Sequence, residues 1–281
     1  MRREPVDQPV GDLQIVLVLH QHVGVAVNRR GNIATGFVAK SDPDGYNVLI
    51  AANNLATNEA LFDSMPFNAE KDLEPVALVG YSPLILVVQP QFVAKTVKDL
   101  VDMAKATPDK LTFASAGAGT SGHLAAEIFK QVTGIQALHV PYKGGAQAMV
   151  DIIAGRVSFM FVDPVQGMPQ IRANQLRPVA VSSRERRVLL PDVPTVTEAG
   201  FPGVEATVWW GFLVPAGTPK EIVSRLNKEI DLALADQKVK DSLREMGAVV
   251  KGGSPEDFRA FIKSETERWG NIIRAAKIKA E

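Results

Sequence analysis

The sequence predicts an α/β fold of two lobes, each a mainly parallel sheet flanked by helices. Three observations carry that expectation. From about residue 45, short β-rich runs alternate with helical ones, the order that βα units produce. Most of the strand runs are continuously apolar rather than alternating, as strands covered on both faces are. Pro/Gly punctuation at Ser82-Pro83, Gln89-Pro90 and Pro215-Ala216-Gly217-Thr218-Pro219 marks places where the chain can cross between lobes. The expected division is residues 1–92 with 213–281 in the first lobe and 93–212 in the second.

The expected strands are Asn47–Ala52, Glu74–Val79, Leu84–Gln89, Leu111–Ser115, Ala137–Val140, Phe159–Val162, Arg177–Ser182 and Thr207–Val214. Helices are expected where an apolar stripe at helical spacing meets a start or stop signal. Thr96–Ala106 carries Val97, Leu100, Val101 and Ala104 on one face and stops before Pro108. Gly122–Val132 stops at Gly134, and Ala146–Ala154 stops at Gly155. The last third reads as helical: Pro219 opens a helix with Ile222, Val223, Leu226, Ile230 and Ala233, and Val239–Met246 ends at Gly247. Ser254-Pro255-Glu256-Asp257 is a capped start for a final helix striped by Phe258, Phe261, Ile262, Glu265, Trp269, Ile272 and Ile273.

Composition narrows function. The chain has 281 residues, 46% of them hydrophobic and 22% charged, enough apolar material for a large core. Lys+Arg 31 balance Asp+Glu 31, so no net charge points to nucleic acid or an anionic membrane as partner. With no cysteine, disulfides, thiolate catalysis and Cys-based metal sites are excluded. The Leu13–Leu19 run falls short of the ~20 apolar residues that span a bilayer. A signal peptide is not evident, because Glu4, Asp7 and Asp12 offset Arg2 and Arg3 and no small-x-small site follows.

Gly117-Ala118-Gly119-Thr120-Ser121-Gly122 matches G-x-G-x-x-G between a strand and a helix, but the next strand ends in Val140-Pro141-Tyr142 rather than an acidic residue. That argues against a dinucleotide site, and no loop Lys makes it a Walker A element. Two readings stand: backbone N–H groups converging at a helix N-terminus to hold an anion, with Thr120 and Ser121 adding hydroxyls, or only a tight turn with an N-cap. Ser121 and His123 are two residues apart and do not face each other on a helix; no G-x-S-x-G elbow surrounds Ser121. His139 stands before a second Gly-containing junction, Tyr142-Lys143-Gly144-Gly145, whose Lys143 reads either as an anion contact or as a solvated side chain. Asp163 ends a strand, where open α/β sheets bind ligands, and either accepts from a ligand or caps the next turn. His20 and His22 lack a third metal ligand nearby. Trp209-Trp210 reads as core or as cleft lining. No nucleophile–base arrangement assembles, so no catalytic residue, metal or cofactor is assigned.

Asp42-Pro43-Asp44-Gly45-Tyr46, Asn58-Glu59-Ala60-Leu61-Phe62, Ala116–His123, Val140–Gly145, Pro194-Thr195-Val196-Thr197-Glu198-Ala199-Gly200 and Trp210–Pro219 together resemble the Bug or TctC-like solute receptors of tripartite tricarboxylate transporters, from about Asn28 to the C-terminus. The resemblance implies a two-lobed periplasmic-binding-protein (Venus flytrap) fold that closes on a small carboxylic acid, acts with the membrane subunits of a transporter as a monomer, and catalyses nothing. It implies that Gly117, Gly119, Thr120, Ser121 and Gly122 cradle a carboxylate. Asp163 then sets ligand identity, and Asn53, Asn54 and Thr57 form part of the first-lobe wall. His123 and Tyr142 join the candidate ligand-binding set at the same junctions. Met1–Val27 departs from the family, whose first strand leads into a Pro/Gly-rich loop that helps hold the ligand; a weakened first-lobe contact is expected. A degenerate, weakly binding paralogue, an α/β enzyme and a cytosolic effector-sensing module are the alternatives.

Overall fold

The computed structural model describes residues 32–108, 110–276 and 278–279. The Leu13–Leu19 run, His20, His22 and the departure at Met1–Val27 lie outside them. In chain order the elements are α1 (Asn32–Ala39), β1 (Leu49–Ala52), α2 (Asn54–Leu61), α3 (Ala69–Asp72), β2 (Leu73–Pro83), β3 (Ile85–Val88), α4 (Val97–Ala106), β4 (Thr112–Ser115), α5 (Ser121–Thr133), β5 (Leu138–Pro141), α6 (Gly145–Ile153), β6 (Phe159–Val162), α7 (Pro164–Arg172), β7 (Arg177–Val181), β8 (Thr207–Pro215), α8 (Lys220–Ala235), α9 (Gln237–Glu245), β9 (Val249–Val250) and α10 (Pro255–Ala275).

They build two helix-flanked sheets, ordered β1-β8-β2-β9 and β5-β4-β6-β3-β7. The two-sheet α/β class is as the sequence predicts, but strand direction is not. Every described pair in the first sheet is antiparallel. In the second, β4 is parallel to β5 and β6, whereas β3 is antiparallel to β6 and β7. The physical reason is connectivity: β2 leaves the first sheet toward the second and β8 returns from it, so these neighbours must run in opposite directions. A continuously apolar strand reports burial on both faces and not direction.

Of the punctuated sites, Ser82-Pro83 stands directly before a crossing, and the other two do not. Ile85–Val88 pairs with β6 and β7, and all of Thr207–Pro215 pairs within the first sheet, so the crossings fall at Leu84 and Ala206 rather than after residues 92 and 212. Pro90 follows the end of β3 and marks no crossing.

Helix boundaries follow local chemistry. Thr96 and Asp99 form a reciprocal capping box at the start of α4, as Ser254 and Asp257 do for α10. The α4 stripe Val97, Leu100, Val101 and Ala104 is buried, as are Phe258, Trp269 and Ile273 of α10. Trp209 is fully buried, edge-on to Phe258 and Phe261 at 5.7 Å from each. Glu265, read as part of the α10 stripe, is buried but satisfied: Trp269 Nε1 donates to it at 2.7 Å and Arg268 at 3.3 Å.

At the crossings three backbone segments are tied together. Leu84 N–H donates to Ala206 O at 3.2 Å, Ser182 N–H to Leu84 O at 2.9 Å, and Ala206 N–H to Ser182 O at 3.1 Å. The buried Ser182 hydroxyl accepts from Leu84 N–H at 2.9 Å and lies 2.6 Å from Ala206 O, to which it donates. Replacing Ser182 with Ala should cost about 1–3 kcal/mol, because it strips partners from buried groups on both crossing strands. Denaturant unfolding checks this; a loss below about 0.5 kcal/mol would contradict it.

Candidate functional site

Because β4 is parallel to β5 and β6, the strand-to-helix junctions after these three strands open at one edge of the second sheet. The junctions are in direct contact, and glycine makes that possible. A Cβ at Gly122 would sit 2.5 Å from Phe161 O of β6, and one at Gly117, whose φ is +133°, 3.3 Å from Tyr142 O. A Cβ at Gly145 would collide with the Gln166 side chain of α7. The structure thus brings Gly117, Gly119, Thr120, Ser121, Gly122, Tyr142 and Asp163 together at one edge.

Their roles differ from a simple glycine-amide cradle. Gly117 N–H donates to Ser115 Oγ at 3.1 Å and Gly119 N–H to His123 Nδ1 at 2.7 Å, so both glycine amides turn into the fold. Thr120 is the N-cap of α5 but makes no side-chain cap bond, its hydroxyl donating instead to Gly117 O at 2.8 Å. The donors without an intrahelical partner are therefore the first-turn amides of Ser121, Gly122 and His123, at the positive end of a 13-residue helix, with the Ser121 hydroxyl beside them. The His123 ring is 5% exposed and stacks on His139 at 3.8 Å, its Nε2 lying 3.7 Å from Glu127 Oε1. The His123 ring is committed to the fold by these partners, which leaves its backbone amide as the group at the junction. Burial and the neighbouring His123 hold His139 down to about 3, so it is neutral at physiological pH.

Tyr142 donates its hydroxyl to Asp151 at 2.6 Å; burial and that carboxylate push its phenol up to about 12. Lys143 is exposed, the solvated alternative. Asp163 is the N-cap of α7, accepting from Val165 N–H at 2.8 Å, and is partly buried. Burial pushes its carboxyl up to about 6, against the Val165 bond that draws it down. On the first lobe Asn53 is committed to the fold: its amide donates to Thr207 O and its carbonyl accepts from Trp209 N–H, each at 2.8 Å. Asn54 follows it at the start of α2, and the buried Thr57 hydroxyl finds no partner among the described residues.

Two cavities flank the start of α7. One of about 480 Å³ is lined by Pro164, Met168, Arg187 and Gly247, and one of about 460 Å³ by Val165, Ile50, Trp210 and Met246. Neither is lined by the glycine loop. Trp210 therefore borders an apolar cavity while Trp209 is core, so the adjacent tryptophans divide between the two readings. Ser115 and Arg187 escaped sequence reasoning, since nothing in spacing pairs residue 115 with 139 or brings residue 187 to α7.

A family model described as "Tripartite tricarboxylate transporter family receptor" matches residues 17–278. The chain belongs to that family. Members are solute-binding receptors of the periplasmic-binding-protein type. Among solved structures it is similar to an R. palustris protein with adipate, 35% identical with TM-score 0.84 over 89% of this chain and 84% of that one. It is also similar to the periplasmic binding protein BugD, 31% identical with TM-score 0.81 over 90% and 85%. A third, MatC from Rhodopseudomonas palustris with bound malate, is 28% identical with TM-score 0.78 over 86% and 84%. No helix among the described residues is long and apolar enough to cross a membrane.

For a TctC-type receptor, a carboxylate held partly buried against its own hydration is a cost to stability. The folded protein binds the Asp163 proton more tightly than the unfolded chain, so this cost grows as pH rises from about 4 through about 6 and is absent below. Asp163→Asn keeps an oxygen for Val165 N–H and removes the charge. It should stabilise the protein by about 1–3 kcal/mol at pH 7.5 and by almost nothing at pH 3.5, at ~1.4 kcal/mol per pH unit. Thermal unfolding at the two pH values is the check; equal effects at both would show that the carboxylate is not desolvated.

Proposed function

We propose that this receptor binds a small aliphatic dicarboxylate between its lobes. One carboxylate lies on the Ser121, Gly122 and His123 amides. The other is held toward Asn53, Asn54 and Thr57 at the start of α2, and Asp163 accepts from a hydroxyl or ammonium group of the ligand. The observation that carries this reading is the uncapped start of α5. Its N-cap hydroxyl is spent on Gly117 O, which leaves three convergent donors and a helix dipole for an external anion. The adipate and malate in the related structures support a dicarboxylate as the ligand class. The division into lobes at Leu84 and Ala206 follows the sheets and gives one carboxylate contact to each side. In this reading the protein works in the periplasm as a monomer, hands its ligand to the membrane subunits of a tripartite tricarboxylate transporter, and releases it chemically unchanged.

The test separates the amides from the fold. Ser121→Pro removes one first-turn N–H at the helix position where proline is best tolerated, and Thr120 already has the extended backbone that a following proline requires. Calorimetric titration with C4–C6 dicarboxylates should give saturable one-to-one binding by the parent. The Pro variant should bind about ten- to a hundredfold more weakly with little change in stability, since a charge-assisted bond is worth about 1.5–3 kcal/mol. Ser121→Ala isolates the hydroxyl. No binding of any dicarboxylate by the parent, or parent-like affinity in the Pro variant, would overturn the assignment.

A further inference from the structure

Behind the glycine loop lies a largely buried group of polar side chains that ligand recognition as described does not use. We propose that the side chains of His123, His139 and Ser115 are positioning groups: a stacked imidazole pair that clamps both ends of the glycine loop and so presets the α5 amides for an anion these side chains never touch. This rests on the receptor reading above but concerns side chains behind the loop rather than the amides that face the ligand.

The clamp has two arms. In the first, His139 Nε2 and Ser115 Oγ are 2.7 Å apart, and the same hydroxyl accepts from Gly117 N–H at 3.1 Å and lies 3.0 Å from Gly117 O. One hydroxyl proton satisfies all three contacts in a single way. His139 donates from Nε2 to Ser115, Ser115 donates to Gly117 O, and Gly117 N–H returns to Ser115. In the second arm, His123 Nδ1 accepts from Gly119 N–H, which makes Nδ1 the unprotonated nitrogen and leaves Nε2–H toward Glu127. The arms are joined by the rings themselves, parallel within 8° at 3.8 Å, with Phe113 packed beside the pair at 4.8 Å from His139 and 6.0 Å from His123.

Gly117 and Gly119 sit at φ +133° and +72°, so without the clamp the loop has wide backbone freedom. Fixing both residues from behind, by an N–H and a C=O at Gly117 and an N–H at Gly119, removes that freedom before a ligand arrives, which is how preorganisation raises affinity. The groups facing the stack are Glu127 and Lys130 of α5 and the Ser115 hydroxyl of β4. Burial, His123 and Lys130 all disfavour a charge on His139, and Glu127 alone favours one. His139, neutral down to about pH 3, keeps the pair from carrying two charges.

Two substitutions at one position separate hydrogen bonding from packing. His123→Phe keeps a flat ring on His139 and removes the acceptor; His123→Asn puts Oδ1 near the place of Nδ1 and gives up the ring. Amide hydrogen exchange of unliganded protein should show Gly119 losing about tenfold or more of its protection in the Phe variant and keeping it in the Asn variant. Affinity for adipate or malate should fall about tenfold in the Phe variant and clearly less in the Asn variant, which restores the acceptor for Gly119 N–H. Ser115→Ala, which removes a single oxygen, should weaken binding in the same direction, and supplies the test if either His123 variant does not fold. Parent-like protection and affinity in His123→Phe and Ser115→Ala, or equal losses in Phe and Asn, would overturn the proposal. If the parent binds no dicarboxylate, the receptor reading fails, and the exchange measurement still decides whether the clamp exists.

Discussion

A single short distance governs the site: position 122 has room for no side-chain atom, because Phe161 O occupies the space a Cβ would take at 2.5 Å. This lets α5 begin against the end of β6, with the glycine loop of β4 and the Tyr142 turn of β5 closed over the same edge. Once the three junctions touch, the first-turn amides of α5 and the Asp163 carboxylate become neighbours on one surface, although they are about forty residues apart in sequence. The same packing turns the Gly117 and Gly119 amides inward, so buried Ser115 and His123 complete their hydrogen bonding there instead of leaving polar atoms orphaned.

The second constraint is the crossing. A two-sheet receptor needs strands that leave and return, and here they are fastened to each other at Leu84, Ser182 and Ala206 rather than left as free linkers. Beside them, Ser82 Oγ donates to Gly247 O at 2.7 Å, and Gly247 has no space for a Cβ because Pro164 of α7 lies against it. The start of α7, with Asp163 as its cap, is therefore where the second sheet's helices meet the first sheet's edge. A carboxylate that destabilises the protein at neutral pH is placed at that seam, the pattern expected where function rather than stability chooses the residue.

Local chemistry made much of this legible in advance. Thr96, Ser254 and Pro255 mark helix starts through backbone donors that any such helix must satisfy, and Gly134 marks an end because its φ of +70° suits glycine. The glycine loop and Asp163 were visible as strand-end residues by the same logic, whereas Asn53, Asn54 and Thr57 came only from the family resemblance. What stayed hidden depends on pairing across the chain. Helix α7 carries Gly167 and Pro169, which break its periodicity, yet it forms because Asp163 caps it and Met168 packs inward. The direction of β3 is set by where the chain must go next, and the inward turn of His123 by a partner sixteen residues further on, neither of which periodicity encodes. The Trp209-Trp210 pair was ambiguous for the same reason: alternation says that the two point apart, and only the assembled sheet says which side is core.

The claim on which the rest turns is that an anion is held by the first turn of α5. Amide chemical-shift mapping of the isotope-labelled protein titrated with adipate or malate tests it most directly. The prediction is that the largest saturable shifts fall on Ser121, Gly122 and His123, with a second group around Thr57 and Asp163. Shifts confined to the cavity beside Arg187 and Met168, with the α5 start unmoved, would contradict it.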